Sequence, residues 1–252
     1  MEKKITAVIV AAGTGRRMNS SVKKQYMEIA GAPVLYHTLK AFEKSDVNEI
    51  VIVTGEDEIA YVREQIVEEY CIKKVVAVCA GGKERCDSVY EGIKKVLKRQ
   101  EADQEGTNGY VLIHDGVRPL VTPELINSCI AGVKKYGACI PGVAEKDTVK
   151  EADENMDVVR TPDRKKMFRI QTPQCFSLDL INEAFEKYNK ENEQTDGQGS
   201  AAMTDDAMLV EKYTGHKVKI IEGDYQNIKI TTPEDIGLAE YYLSLKKVNN
   251  IR

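Results

Sequence analysis

The chain has 252 residues, of which 42% are hydrophobic, and a formal net charge of −4 at pH 7. This length is enough for one α/β domain or two small domains with a sizeable core. The charge gives no support for a nucleic-acid-binding surface, and no apolar stretch approaches the roughly 18 residues of a membrane span. We therefore expect neither a nucleic acid nor a membrane as a partner.

The six cysteines are scattered along the chain, and none forms a C-x-x-C pair. Several lie in apolar runs, as Cys79 and Cys139 do. This pattern favours reduced, mostly buried thiols over a disulfide framework or a zinc site. The N-terminal residues also lack the long apolar region of a signal peptide. We therefore expect a cytoplasmic protein.

The first predicted element is a buried strand over residues 5–10, because this run is apolar and rich in β-branched residues. It leads directly into a turn of small residues: Ala11, Ala12, Gly13 and Gly15. Such a turn lets the backbone approach a ligand closely and can bind a polyphosphate through its N–H groups. Four cationic side chains follow: Arg16, Arg17, Lys23 and Lys24. The combination favours binding of a nucleoside triphosphate.

This loop matches neither of the two common phosphate-binding motifs. Met18 stands where the dinucleotide motif G-x-G-x-x-G requires its third glycine. The sequence G-x-x-x-x-G-K-S/T of the P-loop is absent as well. An ordinary tight turn with a solvated basic face is therefore the alternative to a phosphate-binding loop.

Strand-like and helix-like patterns alternate along the chain that follows. Further strands are predicted at 49–54, 74–79, 110–114 and 138–143, and helices at about 33–45, 57–69, 86–98 and 122–135. This repetition predicts an α/β fold with a mostly parallel, twisted sheet covered on both faces. Because ligands bind at the carboxyl ends of such strands, the loops after the first, third and fourth strands are expected to meet.

The regular alternation stops at about residue 143. Residues 144–169 are highly charged, and short alternating stretches within them predict a protruding hairpin. A hairpin of this kind usually needs a partner surface. Residues 190–203 are polar and predict a mobile loop, after which Thr204 to Asp206 cap a helix. A strand at 217–221 and a helix opened by Thr232 and Pro233 complete the chain.

Two loops of the predicted sheet carry candidate binding residues. Gly82 and Ser88 follow the third strand and offer hydrogen bonds to a base or a ribose, although the pattern alone favours an ordinary strand-to-helix turn. Asp115 follows the fourth strand and is suited to hold a magnesium ion that bridges phosphates. A turn or capping role is the alternative for Asp115. Arg118 is placed to bind a second anion.

Three other polar residues carry little information by themselves. We expect His114 to be packed or hydrogen-bonded rather than catalytic. Arg164 and Lys229, taken alone, resemble solvated surface charges. Their interpretation depends on the sequence strings around them.

Eight strings spread from about residue 4 to residue 243 resemble those of the CTP-dependent alditol-phosphate cytidylyltransferases. They are AAGTGRRM, KKQY, GGKERCDSV, HDGVRP, DTVK, PDRKKMFRIQTPQ, TDDA and NIKITTPED. The resemblance implies a Rossmann-like, three-layer α/β/α fold in which residues 1–252 form a single domain. It also implies that an arm at about residues 143–169 builds a homodimer.

The resemblance assigns expected roles to individual residues. The CTP phosphates would be wrapped by Ala11, Ala12, Gly13 and Gly15, with Gly82 and Ser88 near cytosine and ribose. Arg17 and Lys24 would stabilise the transition state. Asp115 would lie near a magnesium ion (Mg²⁺) and the substrate phosphates. The acceptor phosphate would be held by Arg118, Thr148, Arg164, Thr172 and Lys229. Of these residues, Arg164 and Lys229 are also expected to be catalytic. Some of the set would be contributed by a partner's arm.

The resemblance is strongest to the family members that act on 2-C-methyl-D-erythritol 4-phosphate in the non-mevalonate isoprenoid pathway. The implied reaction transfers a cytidylyl group from CTP to this acceptor and releases pyrophosphate. Three alternatives remain at this point. They are a ribitol-5-phosphate cytidylyltransferase of teichoic acid synthesis, a non-catalytic nucleotide-binding protein of the same fold, and a nicotinamide-dependent dehydrogenase, against which the broken glycine motif argues.

Overall fold

The computed structural model describes residues 3–13, 15, 18, 22–102, 108–194 and 203–249. The strands in this part of the chain are β1 (Lys4–Val10), β2 (Glu28–Ile29), β3 (Ala32–Pro33), β4 (Glu49–Thr54), β5 (Val75–Ala80), β6 (Gly109–Asp115), β7 (Ala138–Ala144), β8 (Glu151–Ala152), β9 (Val158–Arg160), β10 (Phe168–Ile170), β11 (Gln174–Ser177) and β12 (Lys219–Glu222). The helices are α1 (Val34–Glu43), α2 (Ile59–Tyr61) with a π-helical continuation (Val62–Glu68), α3 (Arg85–Ala102), α4 (Pro123–Tyr136), α5 (Leu178–Gln194), α6 (Asp206–Thr214) and α7 (Glu234–Asn249).

Within the described residues, a mixed, mainly parallel sheet of eight strands forms the centre of the fold. Its order is β10–β7–β11–β6–β1–β4–β5, and β12 pairs with β7. The strands β6, β1, β4 and β5 are mutually parallel, as the alternation of strand and helix patterns predicts. The short strand β11 lies between β6 and β7 and is antiparallel to both. This insertion extends the sheet beyond β6.

Helices cover both faces of the sheet, which confirms the predicted three-layer α/β/α arrangement. Alternate residues of β1 face opposite sides: Ile9 packs in the core that contains Leu39 of α1, whereas Val8 packs with Ile93 of α3. The two cores also include residues from α4 on the first side and from α5 and α6 on the second. A smaller apolar cluster joins α7 to the turn after β6.

The predicted elements match the observed ones closely over the first 144 residues. The strands predicted at 5–10, 49–54, 74–79, 110–114 and 138–143 correspond to β1, β4, β5, β6 and β7, and the four predicted helices are also present. The short strands β2, β3, β10 and β11 and the helix α5 are not anticipated. The loop predicted at 190–203 is wrong at its start, because α5 continues to Gln194. Residues 195–202 lie outside the described part of the chain.

Helix α5 continues into a polar stretch because its apolar residues lie in its first half. Leu178, Ile181, Ala184 and Phe185 are buried against the sheet and α3. The second half is mostly charged and polar, and an exposed helix face tolerates such residues. A sequence rich in polar residues therefore does not distinguish a solvated helix end from a loop.

The hairpin predicted within residues 144–169 is present. The strands β8 and β9 are antiparallel, and the Oδ1 of Asp153 accepts hydrogen bonds from the backbone N–H groups of Asn155 and Asp157 in the turn between them. Apolar side chains of the hairpin remain open to solvent: Val158 is 60% exposed and Val159 is 61% exposed. The hairpin thus presents an uncovered apolar surface on this chain.

The six cysteines form no disulfide in the structure. Cys129, Cys139 and Cys175 are buried, and the others are partly or fully exposed. Within the described ranges, no helix is both long and apolar enough to cross a membrane.

The packing of α3 on the sheet depends on Gly92. A Cβ at this position would collide with Cγ1 of Val8 and lie 3.0 Å from Cγ2 of Val53. We expect Gly92→Ala to lower the free energy of unfolding by about 1–3 kcal/mol, although alanine is the better helix former. Urea unfolding followed by circular dichroism measures this change.

Gly237 in α7 provides the matched control, because it is exposed and a Cβ there would have no neighbour within 4 Å. Gly237→Ala is expected to raise the free energy of unfolding by about 0.5–1 kcal/mol. An equal stabilisation by both substitutions would contradict the close contact of Gly92 with the sheet.

Candidate active site

A cavity of about 360 Å³ lies at the carboxyl ends of β1, β5 and β6. The three loops that follow these strands form its walls, as expected from the parallel topology. The predicted site residues that it brings together are Ala11, Ala12, Gly13, Lys24, Gly82, Ser88, Asp115 and Lys229. Clustering of residues from such distant parts of the chain identifies this cavity as the candidate active site.

The loop after β1 is held from within by Gln25. This side chain is almost completely buried, and its Nε2 donates to the carbonyl oxygens of Ala11 at 2.7 Å and Gly13 at 3.2 Å. The backbone N–H of Ala11 donates to the carbonyl of Val53, which ties the loop to β4. Sequence reasoning gives Gln25 no role, although the string KKQY contains it.

The glycine at position 15 is required by the backbone conformation. Its φ is +66°, in the left-handed region that favours glycine. A Cβ at this position would lie 3.5 Å from Cγ of Lys24, so the turn also passes close to that lysine. Gly15 is not among the described residues that line the cavity. Arg17, the predicted partner of Lys24 in catalysis, lies outside the described residues.

The loop after β5 packs directly against the loop after β1. A Cβ at Gly81 would lie 2.6 Å from Oγ of Ser88 and 2.8 Å from Cβ of Ala12. The hydroxyl of Ser88 accepts a hydrogen bond from the N–H of Gly82 and donates to the carbonyl of Glu84. Ser88 therefore shapes the loop that carries Gly82, and both residues line the cavity.

Three cations converge on the carboxylate of Asp115. Its Oδ1 is 3.2 Å from Nε of Arg85, and its Oδ2 is 3.4 Å from Nε of Arg118 and 3.0 Å from Nζ of Lys229. Burial opposes ionisation of this carboxyl group, but the three positive charges outweigh burial and hold its pKa well below the ordinary value. Asp115 is therefore an anion at neutral pH.

Arg85 also pairs with a second buried carboxylate. Its Nη1 and Nη2 donate to the two oxygens of Asp206 at 3.0 and 2.8 Å, a bidentate geometry. Burial lowers the pKa of Arg85, but the charges of Asp206 and Asp115 raise it above the ordinary value. Sequence reasoning misses both residues, although the strings GGKERCDSV and TDDA contain them.

The cluster as a whole carries a surplus of positive charge. Arg85, Arg118 and Lys229 face the two carboxylates of Asp115 and Asp206, which leaves one cation in excess. The charged residues that line the cavity are Lys24, Lys83, Glu84, Arg85, Asp115 and Lys229, so positive charges outnumber negative ones among the described lining residues. Such a cavity attracts an anionic ligand and offsets the charge that develops on it.

Thr172 lies beneath this cluster rather than on its surface. It is 4% exposed, and its Oγ1 accepts a hydrogen bond from the N–H of Asp115 and lies 2.9 Å from Nδ1 of His114. His114 is completely buried, and burial lowers its pKa to about 3, so the ring is neutral at pH 7. This confirms the prediction that His114 is packed. The hydroxyl of Thr172 holds the backbone at Asp115.

The stretch 227–230 lies beside the cavity, which Lys229 lines. The carbonyl of Asn227 accepts from Nη1 of Arg118 at 2.9 Å, and the carbonyl of Ile230 accepts from Nζ of Lys24 at 3.1 Å. Lys229 projects from the same stretch onto Asp115. Main-chain oxygens and one lysine of this stretch thus contact three of the predicted site residues.

The two predicted site residues on the arm stand apart from the cavity. Thr148 and Arg164 are exposed, and Nη1 of Arg164 donates to the carbonyl of Lys146 within the arm. Neither is among the described residues that line the cavity. The structure of one chain therefore does not bring these two residues to the other predicted site residues.

The donor set is suited to a metal ion that is bound mainly by a ligand's phosphates. Among the residues described, no group of three or more His, Cys, Asp or Glu side chains could form a metal cage. Asp115 nevertheless supplies an ionised carboxylate at the cavity. Mg²⁺ at nucleotide sites commonly uses one or two carboxylates together with phosphate oxygens and water. Asp115 could supply one such carboxylate, although both of its oxygens also contact cations.

Comparison with known proteins supplies the family. A sequence model of the 2-C-methyl-D-erythritol 4-phosphate cytidylyltransferases matches residues 5–245. A protein of this name from Lachnoclostridium phytofermentans is 46% identical over 241 residues, which cover 96% of this chain and 97% of the relative. One from Alkaliphilus oremlandii is 45% identical over 245 residues, or 97% of each chain.

Solved structures of proteins with these names have the same fold as this chain. The 4-diphosphocytidyl-2C-methyl-D-erythritol synthase of Anaerococcus prevotii superposes with a TM-score of 0.79 at 36% identity, over 96% of both chains. The 2-C-methyl-D-erythritol 4-phosphate cytidylyltransferase of Thermus thermophilus gives 0.72 at 26% identity, over 95% of this chain and 98% of that one. The family model, the relatives and the solved structures all indicate the same family. The chain belongs to the 2-C-methyl-D-erythritol 4-phosphate cytidylyltransferase family.

Proposed function

We propose that the chain transfers a cytidylyl group from CTP to 2-C-methyl-D-erythritol 4-phosphate. The products are 4-diphosphocytidyl-2-C-methyl-D-erythritol and pyrophosphate, and the reaction is a step of the non-mevalonate isoprenoid pathway. The observation that carries this proposal is the cation-rich cavity around Asp115, in a chain that matches the family over residues 5–245. Both substrates are phosphate anions, and the surplus positive charge of the cavity suits them.

The two loops after β1 and β5 would bind the nucleotide. Backbone groups of Ala11, Ala12, Gly13 and Gly15 would surround the triphosphate, and Gly82 and Ser88 would lie beside cytosine and ribose. The contact of these loops at Gly81 supports a common nucleotide-binding wall. Lys24 lines the cavity next to the first loop and would stabilise the charge on the α-phosphate together with Arg17.

The acceptor would bind on the side of Asp115 and Lys229. Arg118 and Lys229 would hold its phosphate, with Asp115 fixing both cations. Thr172 would contribute by holding the backbone at Asp115. We propose that Thr148 and Arg164 act in the cavity of a second chain, since both lie on the exposed arm.

In this proposal, residues 1–252 form a single catalytic domain. The arm at about residues 143–169 joins two such chains in a homodimer. The exposed Val158 and Val159 of the hairpin support the proposal, because apolar surface of this kind is normally covered by a partner. The six cysteines free of disulfides fit a cytoplasmic enzyme.

The chemistry requires positioning and charge neutralisation rather than a covalent intermediate. A phosphate oxygen of the acceptor attacks the α-phosphorus of CTP, the new P–O bond forms, and the bond to the β-phosphate oxygen breaks as pyrophosphate leaves in line. The attacking phosphate is already ionised near neutral pH, so no general base is needed. The lysine and arginine side chains reduce the repulsion between two anions and hold them in reactive geometry.

A divalent cation, Mg²⁺, is part of the proposal. Asp115 would be its protein ligand, and the remaining ligands would be phosphate oxygens and water. When bound, the cation would offset part of the negative charge of the substrate phosphates.

The proposed reaction is tested by supplying the chain with CTP, Mg²⁺ and one of two acceptors. We expect rapid release of pyrophosphate with 2-C-methyl-D-erythritol 4-phosphate and little with ribitol 5-phosphate. Faster release with ribitol 5-phosphate would identify the teichoic acid enzyme instead. Binding of CTP without turnover of either acceptor would favour a non-catalytic protein, and binding of NAD in this cavity would favour a dehydrogenase.

Lys24 and Arg164 provide the sharpest test of the proposed catalytic roles. We expect Lys24→Ala to lower turnover by about a hundredfold to a thousandfold, because one stabilising donor is lost while the fold persists. Arg164→Ala is expected to impair use of the acceptor while CTP binding is retained. Lys187→Ala is the control and should leave turnover unchanged. Among the described residues, Lys187 pairs only with the exposed Glu183.

Mixing the two impaired variants tests whether Arg164 acts across a dimer. A mixed dimer would contain one cavity with both Lys24 and the partner's Arg164 intact. Co-refolded Lys24→Ala and Arg164→Ala chains should therefore recover about a quarter of native turnover, because half of the dimers would be mixed and each would carry one intact site. No recovery, despite demonstrated subunit exchange, would mean that Arg164 acts within its own chain.

A further inference from the structure

Lys229 lies on a segment, residues 223–230, that forms neither a helix nor a strand. A lysine on an irregular segment needs other contacts to fix its position, because no backbone ladder holds the chain there. One end of the segment is fixed by Gln171. The Nε2 of Gln171 donates to the carbonyl of Asp224, and its Oε1 accepts from the N–H of Asp224. The other end is fixed by the N–H of Ile230, which donates to the carbonyl of Val117.

Asn227 lies between these two ends and is completely buried. Its Nδ2 donates to the carbonyl of Thr172 at 2.9 Å. Thr172 is the residue whose hydroxyl holds the backbone at Asp115. The amide of Asn227 therefore connects the segment that carries Lys229 to the residue beneath the Asp115 carboxylate.

The main chain of Asn227 makes a second connection to the site. Its carbonyl oxygen accepts from Nη1 of Arg118 at 2.9 Å and from Nε2 of Gln171 at 3.4 Å. Arg118 is mostly buried, and its Nε faces Asp115. Moving Asn227 would thus displace the guanidinium of Arg118 as well as the ammonium of Lys229 two residues later.

We propose that Asn227 is a positioning residue that sets both cations of the acceptor-phosphate site through its hydrogen bond to Thr172. Asn227 is completely buried, so it acts through Arg118 and Lys229 rather than by contact with substrate. The inference rests on the proposed function, because it assigns Arg118 and Lys229 to the acceptor. Sequence reasoning includes Asn227 in the string NIKITTPED without giving it a role.

Two substitutions test this inference. Asn227→Ala removes the whole amide, and Asn227→Asp keeps the size of the side chain while replacing the donor with an oxygen that faces the carbonyl of Thr172. We expect the KM for 2-C-methyl-D-erythritol 4-phosphate to rise roughly tenfold to a hundredfold, because a buried carbonyl loses its donor and the two cations shift. The KM for CTP should stay within about twofold of the native value.

The comparison of the two KM values separates positioning from stability. Partial unfolding lowers the concentration of active enzyme and hence the apparent turnover, but it leaves KM unchanged. Asn48→Ala is the matched control, because Oδ1 of Asn48 accepts from the N–H of Ile5 at the opposite end of β1. We expect Asn48→Ala to lower the melting temperature and to leave both KM values unchanged.

A double-substitution cycle tests the route of the effect. In an Arg118→Ala background, Asn227→Ala should raise the acceptor KM less than it does in the native background, because one of the displaced cations is already absent. Equal effects in both backgrounds would contradict action through Arg118.

The inference is overturned if the native chain turns over the acceptor while the folded Asn227 variants keep its KM unchanged. Loss of all folded protein in both variants would also count against it, because Asn227 would then be a requirement of the fold. Absence of turnover by the native chain would instead contradict the proposed function.

Discussion

The arrangement of the site depends on one buried carboxylate. Asp115 stands at the end of β6 and is contacted by Arg85, Arg118 and Lys229, which come from three separate parts of the chain. Without a central anion, three cations at this distance would repel one another and spread apart. Asp115 therefore concentrates positive charge at one point, and the surplus that remains after pairing is available to phosphate ligands.

The charged side chains around Asp115 come from elements that are far apart in the sequence. Helix α3 begins with Arg85, which α6 holds through the buried Asp206. The irregular segment after β12 carries Lys229, and Asn227 fastens that segment to the backbone beside β11. Strand β11 is antiparallel to both of its neighbours, and this insertion places Thr172 under the end of β6. The unexpected part of the sheet thus supports the site directly.

Local patterns in the sequence predict the strands and the loops that bear the site, because strand periodicity and glycine-rich turns involve neighbouring residues. They do not predict pairs such as Arg85 with Asp206, which are separated by 121 positions. The short strand β11 is missed for the same reason, since its pairing partners are distant. The buried Gln25 shows a further limit: its type signals a polar contact, but only the folded chain shows that it holds the loop at Ala11 and Gly13. Family strings supply Arg164 and Thr148, which the structure of one chain leaves on the exposed arm.

The charge cluster depends most directly on the ionisation of Asp115. This ionisation can be followed by the ¹³C chemical shift of the carboxyl carbon in aspartate-labelled protein, with the resonance assigned by its disappearance in Asp115→Asn. We expect no titration of this carbon at or above the ordinary pKa of 3.8, as long as the protein remains folded. A titration midpoint at or above 3.8 in the folded protein would contradict this expectation, because the three cations would then fail to outweigh the cost of burial.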